Sequence, residues 1–225
     1  MENSTPDIQR IKDESPFNLP KLRKYFPAWL RNFLPIGGGH HHREEEKTLF
    51  GFLAFLISES FIFAVFIISY IALRATAETW IPPGVKGPEM SAQTLLSSII
   101  LLSSSIVIYF AERALKKRKI ARFRLLWLMT VLMGAFFLYA EVKEWLGNDF
   151  SPSTGLLGST YYLLTGFHGL HVAVGIILLT AMLIRSFIPR IYQKGHYGVT
   201  AISLFWHFVD VLWIVLFSLI YLWRG

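Results

Sequence analysis

Five apolar runs of membrane-crossing length constrain this chain more than any other feature: residues 49–73, 93–111, 125–146, 159–184 and 199–223. A hydrocarbon core of roughly 30 Å takes ~20 residues of helix. No water is present there to satisfy an open strand edge, so each run is predicted to be a helix and the fold class an all-α, five-helix integral membrane bundle. Composition agrees, since 53% of the 225 residues are hydrophobic and only 16% are charged.

With no cysteine in the chain, disulfides, thiolate metal sites and iron-sulfur clusters are excluded, and any metal would need histidine and carboxylate ligands. The net charge of +7 does not make a nucleic-acid surface, because the charges flank the apolar runs. Lys and Arg number eight before the first span, seven in the second connection and three in the fourth, against two in the first connection, one (Lys143) at the outer end of the third span and one at the C-terminus. That asymmetry predicts a cytoplasmic N-terminus and a C-terminus outside.

Residues 1–47 are polar, proline-dotted and charged, and are expected to be a partly flexible cytoplasmic extension ahead of a 48–225 membrane domain. Within them LPKLRKYFPAWLRNFLP (19–35) interleaves basic and aromatic residues. It is either an amphipathic stretch on headgroups or a partner, or a loosely ordered tail. The run His40–His42 follows three glycines; adjacent residues do not share a helix face and glycines give no rigid frame, so a flexible linker is the plainer reading than a metal site. The acids Glu44–Glu46 read as a solvated helix start. The first connection, ETWIPPGVKGPEM, should be a compact turn-rich loop with Trp80 at the interface.

Ionisable groups inside a bilayer are functional candidates by default, because burying a charge there costs from ~2.5 to well over 10 kcal/mol. Four places qualify: Glu59, the pair Glu141 and Glu144, the pair His168 and His171, and His207 with Asp210. Glu59 lies near mid-depth of a span without a basic residue, so it is expected to bond as a neutral acid. A proton-exchanging role and a purely structural one both stay open. Glu141 and Glu144 lie toward the outer end of the third span, with Glu144 the more expected to reach water. His207 and Asp210 are three apart and can meet one another or a common neighbour. His168 and His171 also share a face, beside Gly166 and Gly169, which permit close helix approach. Helix-packing hydrogen bonds are the plainer reading, but haem ligation by His171 opposite His207 stays open, since their depths differ by about one turn.

The stretches GSTYYLLTGFHGLHVAVG (158–175) and FWHFVDVLW (205–213) resemble the signatures of subunit III of haem-copper oxidases. LISESFIF, WIPPG, LLSSSIVIYFAERAL and GAFFLYAEVKEW follow the same family pattern in order, so the resemblance covers about residues 48–225. Five spans look like the short bacterial form. The resemblance implies an accessory subunit of a respiratory terminal oxidase of the cytochrome c oxidase type, which reduces oxygen to water and pumps protons. Haem and copper would sit in partner subunits I and II, with none in this chain. Subunit I would be its main contact, with subunit II, small subunits, phospholipids and a respiratory supercomplex around it, in the bacterial inner membrane or an equivalent. It would stabilise subunit I, support proton uptake and bind lipid.

Carried over by position, Glu59 falls on the family's carbodiimide-reactive acid. Arg185 falls on an arginine that meets lipid phosphate, and His196 on a histidine at the start of the last helix. His168, His171, His207, Asp210, Glu141 and Glu144 fall in its structural polar signature. Departures are Glu112 and Arg113 where many members have two histidines, Glu141 where glutamine is common, and Thr200 for a usual glutamate. Rival readings are a quinol oxidase subunit III or its nitric oxide reductase-associated homologue, a haem-binding electron carrier using His171 and His207, and an ion transporter centred on Glu59. The last is disfavoured by the absence of an inverted repeat.

Overall fold

Each apolar run forms a helix in the computed structural model, which describes residues 40–188 and 197–223, with side chains from residue 50 onward. The helices are α1 (His40–Thr76), α2 (Ala92–Lys116), α3 (Ile120–Gly147), α4 (Gly155–Arg185) and α5 (Tyr197–Phe217), the last widening into a π-helical turn at Ser218–Leu222. All five are long and apolar enough to cross a membrane, and no strand occurs among the described residues.

The helices outrun the apolar segments from which they were predicted. α1 begins at His40, so His40–His42 lie in its first turn rather than in the expected linker. α2 continues to Lys116 and α3 starts at Ile120, leaving only residues 117–119 between them where a longer basic connection was expected. Backbone hydrogen bonding does not stop where hydrocarbon stops, and Lys and Arg can extend their charged heads to water from a helical turn. Arg118, at φ 56°, makes the tight reversal, with its N–H donating to Leu115 O at 2.8 Å. That left-handed backbone is uncommon for a residue with a Cβ.

Residues 56–225 form one compact unit, and the packing described here lies within it. In the preceding unit, Phe52 and Phe55 pair with ring centroids 6.2 Å apart. Helices α2, α3, α4 and α5 close on one another in turn, each packed against the next and α5 against α2. The spanning part of α1 lies at the edge: 11% of its most apolar window is buried inside the chain, against 33–44% for the others. Its inward contacts are large side chains, chiefly Phe63, whose ring lies 4.9 Å from Phe167 and 5.0 Å from His171.

Apolar burial alone does not hold helices together in lipid, where the tails are as apolar as leucine, so close packing and polar contacts decide. Trp206 of α5 supplies both. Its indole fills the space left by two glycines: a Cβ on Gly134 of α3 would lie 2.5 Å from it, and one on Gly175 of α4 2.8 Å. Its Nε1 donates to Ser104 Oγ of α2 at 2.7 Å. Two further indoles act similarly, Trp213 donating to Ser98 Oγ at 3.0 Å and Trp127 to Leu179 O at 2.8 Å. At one end the Lys86 amide donates to Asp149 at 3.0 Å, joining the first connection to the third.

Candidate functional site

The polar groups singled out in the sequence fall into four places, each tied to helix contacts. Glu59 of α1 meets His171 of α4, Oε2 to Nε2, at 3.2 Å, the two side chains being 16% and 11% exposed. The Nδ1 of His171 lies 2.8 Å from Phe167 O one turn back. A carbonyl only accepts, so Nδ1 carries a hydrogen. The contact with Glu59 then needs one proton between two acceptors, and the pair shares it as either imidazolium-carboxylate or imidazole-carboxylic acid. Phe63, Phe167 and Phe205 enclose the imidazole, with centroids 5.0, 4.7 and 6.3 Å away. The basic partner that α1 was expected to lack comes from another helix. Arg74, which α1 does contain beyond the expected end of its span, is fifteen residues on, about 22 Å along the axis.

His207 and Asp210 of α5 converge on Ser105 of α2, which lies 2.9 Å from His207 Nδ1 and donates a short bond to Asp210 Oδ2. Since the hydroxyl donates to the acid, it accepts from His207 Nδ1–H. That order is opposite to a nucleophilic triad, in which histidine takes the serine proton. The cluster therefore fastens helices rather than activating a hydroxyl.

Glu144 was expected to reach water, but three hydroxyls hold it inside the bundle. Thr94 of α2 donates to Oε2 at 2.7 Å, Tyr161 of α4 to Oε1 at 2.9 Å, and Tyr221 after α5 makes a shorter bond to the same oxygen. One carboxylate thus joins α2, α3, α4 and the end of α5. The acid's position was legible from sequence, but its donors were not, because they come from three other segments.

Glu141 and His168 are buried, and neither carboxylate oxygen nor either ring nitrogen has a partner among the described residues. Glu141 lies against Gly169, where an added Cβ would come within 3.0 Å of Oε2. His168 stacks on Trp213 at 4.9 Å and meets the edge of Phe137 at 6.0 Å. The neighbouring histidines thus face different helices, His171 toward α1 and His168 toward α3 and α5. An unpartnered buried acid costs about 1–3 kcal/mol. Glu141→Met, which keeps the length of the side chain and removes its unpartnered polar head, is expected to raise the thermal midpoint for release of this subunit from its complex by roughly 2–4 °C. A fall of several degrees would show that the carboxyl has a partner in the assembly.

Among the described residues no group of three or more His, Asp or Glu is placed to hold a metal ion. Arg185, the last residue of α4, is exposed. His196 lies outside the described residues.

The family described as cytochrome c oxidase subunit III matches residues 21–225. The chain belongs to that family. Among its relatives, the cytochrome c oxidase subunit 3 of Thermostichus vulcanus is 40% identical over 173 residues, 76% of this chain and 85% of that one. The Synechocystis subunit is 39% identical over 178 residues, 79% of this chain and 76% of that one. The mouse subunit is 33% identical over 179 residues, 77% of this chain and 69% of that one. The match begins at residue 21, further toward the N-terminus than the motifs, which begin at about 48. Subunit III membership and five spanning helices make this a multi-pass protein of a respiratory membrane, a component of an oxidoreductase complex that partners other oxidase subunits.

Several groups important to the geometry of this subunit III were not singled out in its sequence. Thr94, Ser97, Ser98, Ser104 and Ser105 place hydroxyls down one side of α2, Ser97 and Ser98 three and four residues after Thr94, and Ser104 and Ser105 seven residues after those. That spacing is a readable sign of a polar helix face, masked by the hydrophobic average of the span. Ser97 and Ser98 return their hydrogens to Thr94 O at 3.0 and 2.7 Å, which leaves Ser98 Oγ able to accept from Trp213.

Proposed function

We propose that this chain is a non-redox accessory subunit of the oxidase, oriented with its N-terminus on the cytoplasmic side, that stabilises catalytic subunit I and supports proton uptake. The observation that carries the reading is how its membrane-depth histidines are engaged. His171 is joined to Glu59 and to Phe167 O, His207 to Ser105, and His168 is closed in by Phe137 and Trp213. Such engagement supports helix packing over axial ligation, and haem and copper belong to subunits I and II. Subunit I is its main contact, with subunit II and smaller subunits nearby. The relatives' names support cytochrome c as the electron donor to the complex.

Glu59 is the proton-linked, carbodiimide-reactive acid, with His171 its proton-sharing partner. Arg185 and His196 meet phospholipid headgroups at the cytoplasmic ends of α4 and α5, where a guanidinium can bind phosphate with two parallel hydrogen bonds. Residues 1–47 are a cytoplasmic extension to the 48–225 membrane domain.

Removing this chain from the purified oxidase tests the reading. Haem and copper per subunit I should stay unchanged, while the number of turnovers before inactivation falls. Loss of haem in proportion to the chain removed would overturn it.

A further inference from the structure

At the end of the bundle away from the basic α2–α3 connection, a cavity of about 480 Å³ opens between the end of α1, the first connection and the end of α5. Tyr70, Arg74, Trp80 and Trp223 contribute to its walls, and Lys86 and Glu89, both exposed, also line it. Its size is that of a small-molecule site.

Arg74 is fixed within it. Nη1 donates to Tyr70 OH at 3.1 Å and Leu219 O at 3.5 Å, and Nη2 to Trp223 O at 2.6 Å. The indoles of Trp80 and Trp223 lie 5.7 and 4.6 Å from the guanidinium carbon. Every one of these partners is neutral. Among the described residues no carboxylate is within ion-pair distance of Arg74, so a rigid, half-buried cation lacks a counter-ion. Arg74 is in the last turn of α1, where that helix leaves the apolar run. Tryptophan and tyrosine beside it are typical of headgroup depth. Lys86 brings a second cation and Glu89 a single acid, a balance that suits a phosphate carrying its own donor group.

We propose that this cavity binds the headgroup of a phospholipid, with Arg74 and Lys86 on the phosphate oxygens and Glu89 accepting from the headgroup's ammonium or hydroxyl. The aromatic walls receive the glycerol and first acyl carbons, for which a free inorganic anion has no counterpart. A fixed guanidinium favours phosphate through its planar array of donors. This site is distinct from the one at Arg185, which stands at the opposite end of the helices, and it does not rest on that assignment.

The test uses the whole oxidase complex, delipidated in detergent and titrated with dihexanoylphosphatidylethanolamine, with occupancy counted by native mass spectrometry. Arg74→Gln should weaken binding about tenfold, the loss of one charge-assisted hydrogen-bonding group, and Lys86→Gln by a few-fold. Dihexanoylglycerol, which lacks the phosphate, should not bind. Lys86 is exposed, so its variant keeps the test open should Arg74→Gln fail to assemble. A phosphate peak in a density map beside Arg74, lost in the variants, is the corresponding structural result. Inorganic phosphate binding as tightly as the lipid, equal lipid binding in wild type and both variants, or a partner subunit's side chain filling the cavity would each overturn the proposal.

Discussion

Gly175→Ala is expected to prevent stable incorporation of this subunit, or to leave it dissociating many degrees below wild type. The added Cβ would lie 2.8 Å from two carbons of the Trp206 indole and 3.4 Å from Phe205. Trp206 is fully buried and held at its far side by Ser104, so it has nowhere to swing without giving up that bond. Forced overpacking of this kind typically costs about 1–3 kcal/mol. Gly134→Ala meets the same indole from α3 at 2.5 Å and should behave alike. A double substitution separates crowding from other causes. Trp206→Phe alone should destabilise by opening a cavity and removing the Ser104 bond, yet it should cost much less in the Gly175→Ala background, where it relieves the clash. Measured by subunit yield and thermal release from the complex, strictly additive effects would show that the glycine and the indole do not share that space.

The number and type of spanning elements were legible because lipid leaves few options: an apolar run of sufficient length must satisfy its own backbone, and a helix does so. Where the helices end was less legible. The apolar run stops at residue 73, which places Arg74 in the first connection, whereas α1 continues to Thr76 and aims that arginine at Tyr70 and at the carbonyls of Leu219 and Trp223 beyond α5. Depth could be read from sequence position, but rotation about each helix axis could not. The sequence puts Glu59 near mid-depth of the first span and His171 within the fourth, and only the rotation of α1 against α4 brings them to 3.2 Å across 112 residues of sequence. The same limit hid the donors to Glu144, and it led His168 and His171 to be treated as one facing pair.

Glu59 should be modified by a hydrophobic carbodiimide in the assembled oxidase, and labelling of this subunit should fall to background in Glu59→Gln. The reagent needs both a carboxyl oxygen to attack its central carbon and a proton for its nitrogen, and the shared proton of the Glu59–His171 pair supplies the second. The two obvious replacements should differ in stability. Because His171 Nδ1 donates to Phe167 O, its Nε2 can accept when the imidazole is neutral, and a glutamine amide at position 59 can donate to it. Glu59→Gln should therefore assemble nearly as well as wild type. Glu59→Leu should cost about 1–2 kcal/mol by leaving Nε2 unpaired, read as a lower temperature of subunit release. Equal labelling of wild type and Glu59→Gln would refute the assignment of the reactive acid, and equal stability of the Gln and Leu variants would refute the shared proton.

Under the proposed function, the membrane-depth histidines fasten helices and electron transfer lies wholly in the partner subunits. The most direct measurement is the visible absorbance spectrum of this chain after its release from the oxidase and separation from subunits I and II. The expected spectrum has no Soret band, with all haem recovered in the remaining complex. A Soret band stoichiometric with this chain, lost in His171→Ala or His207→Ala, would contradict it.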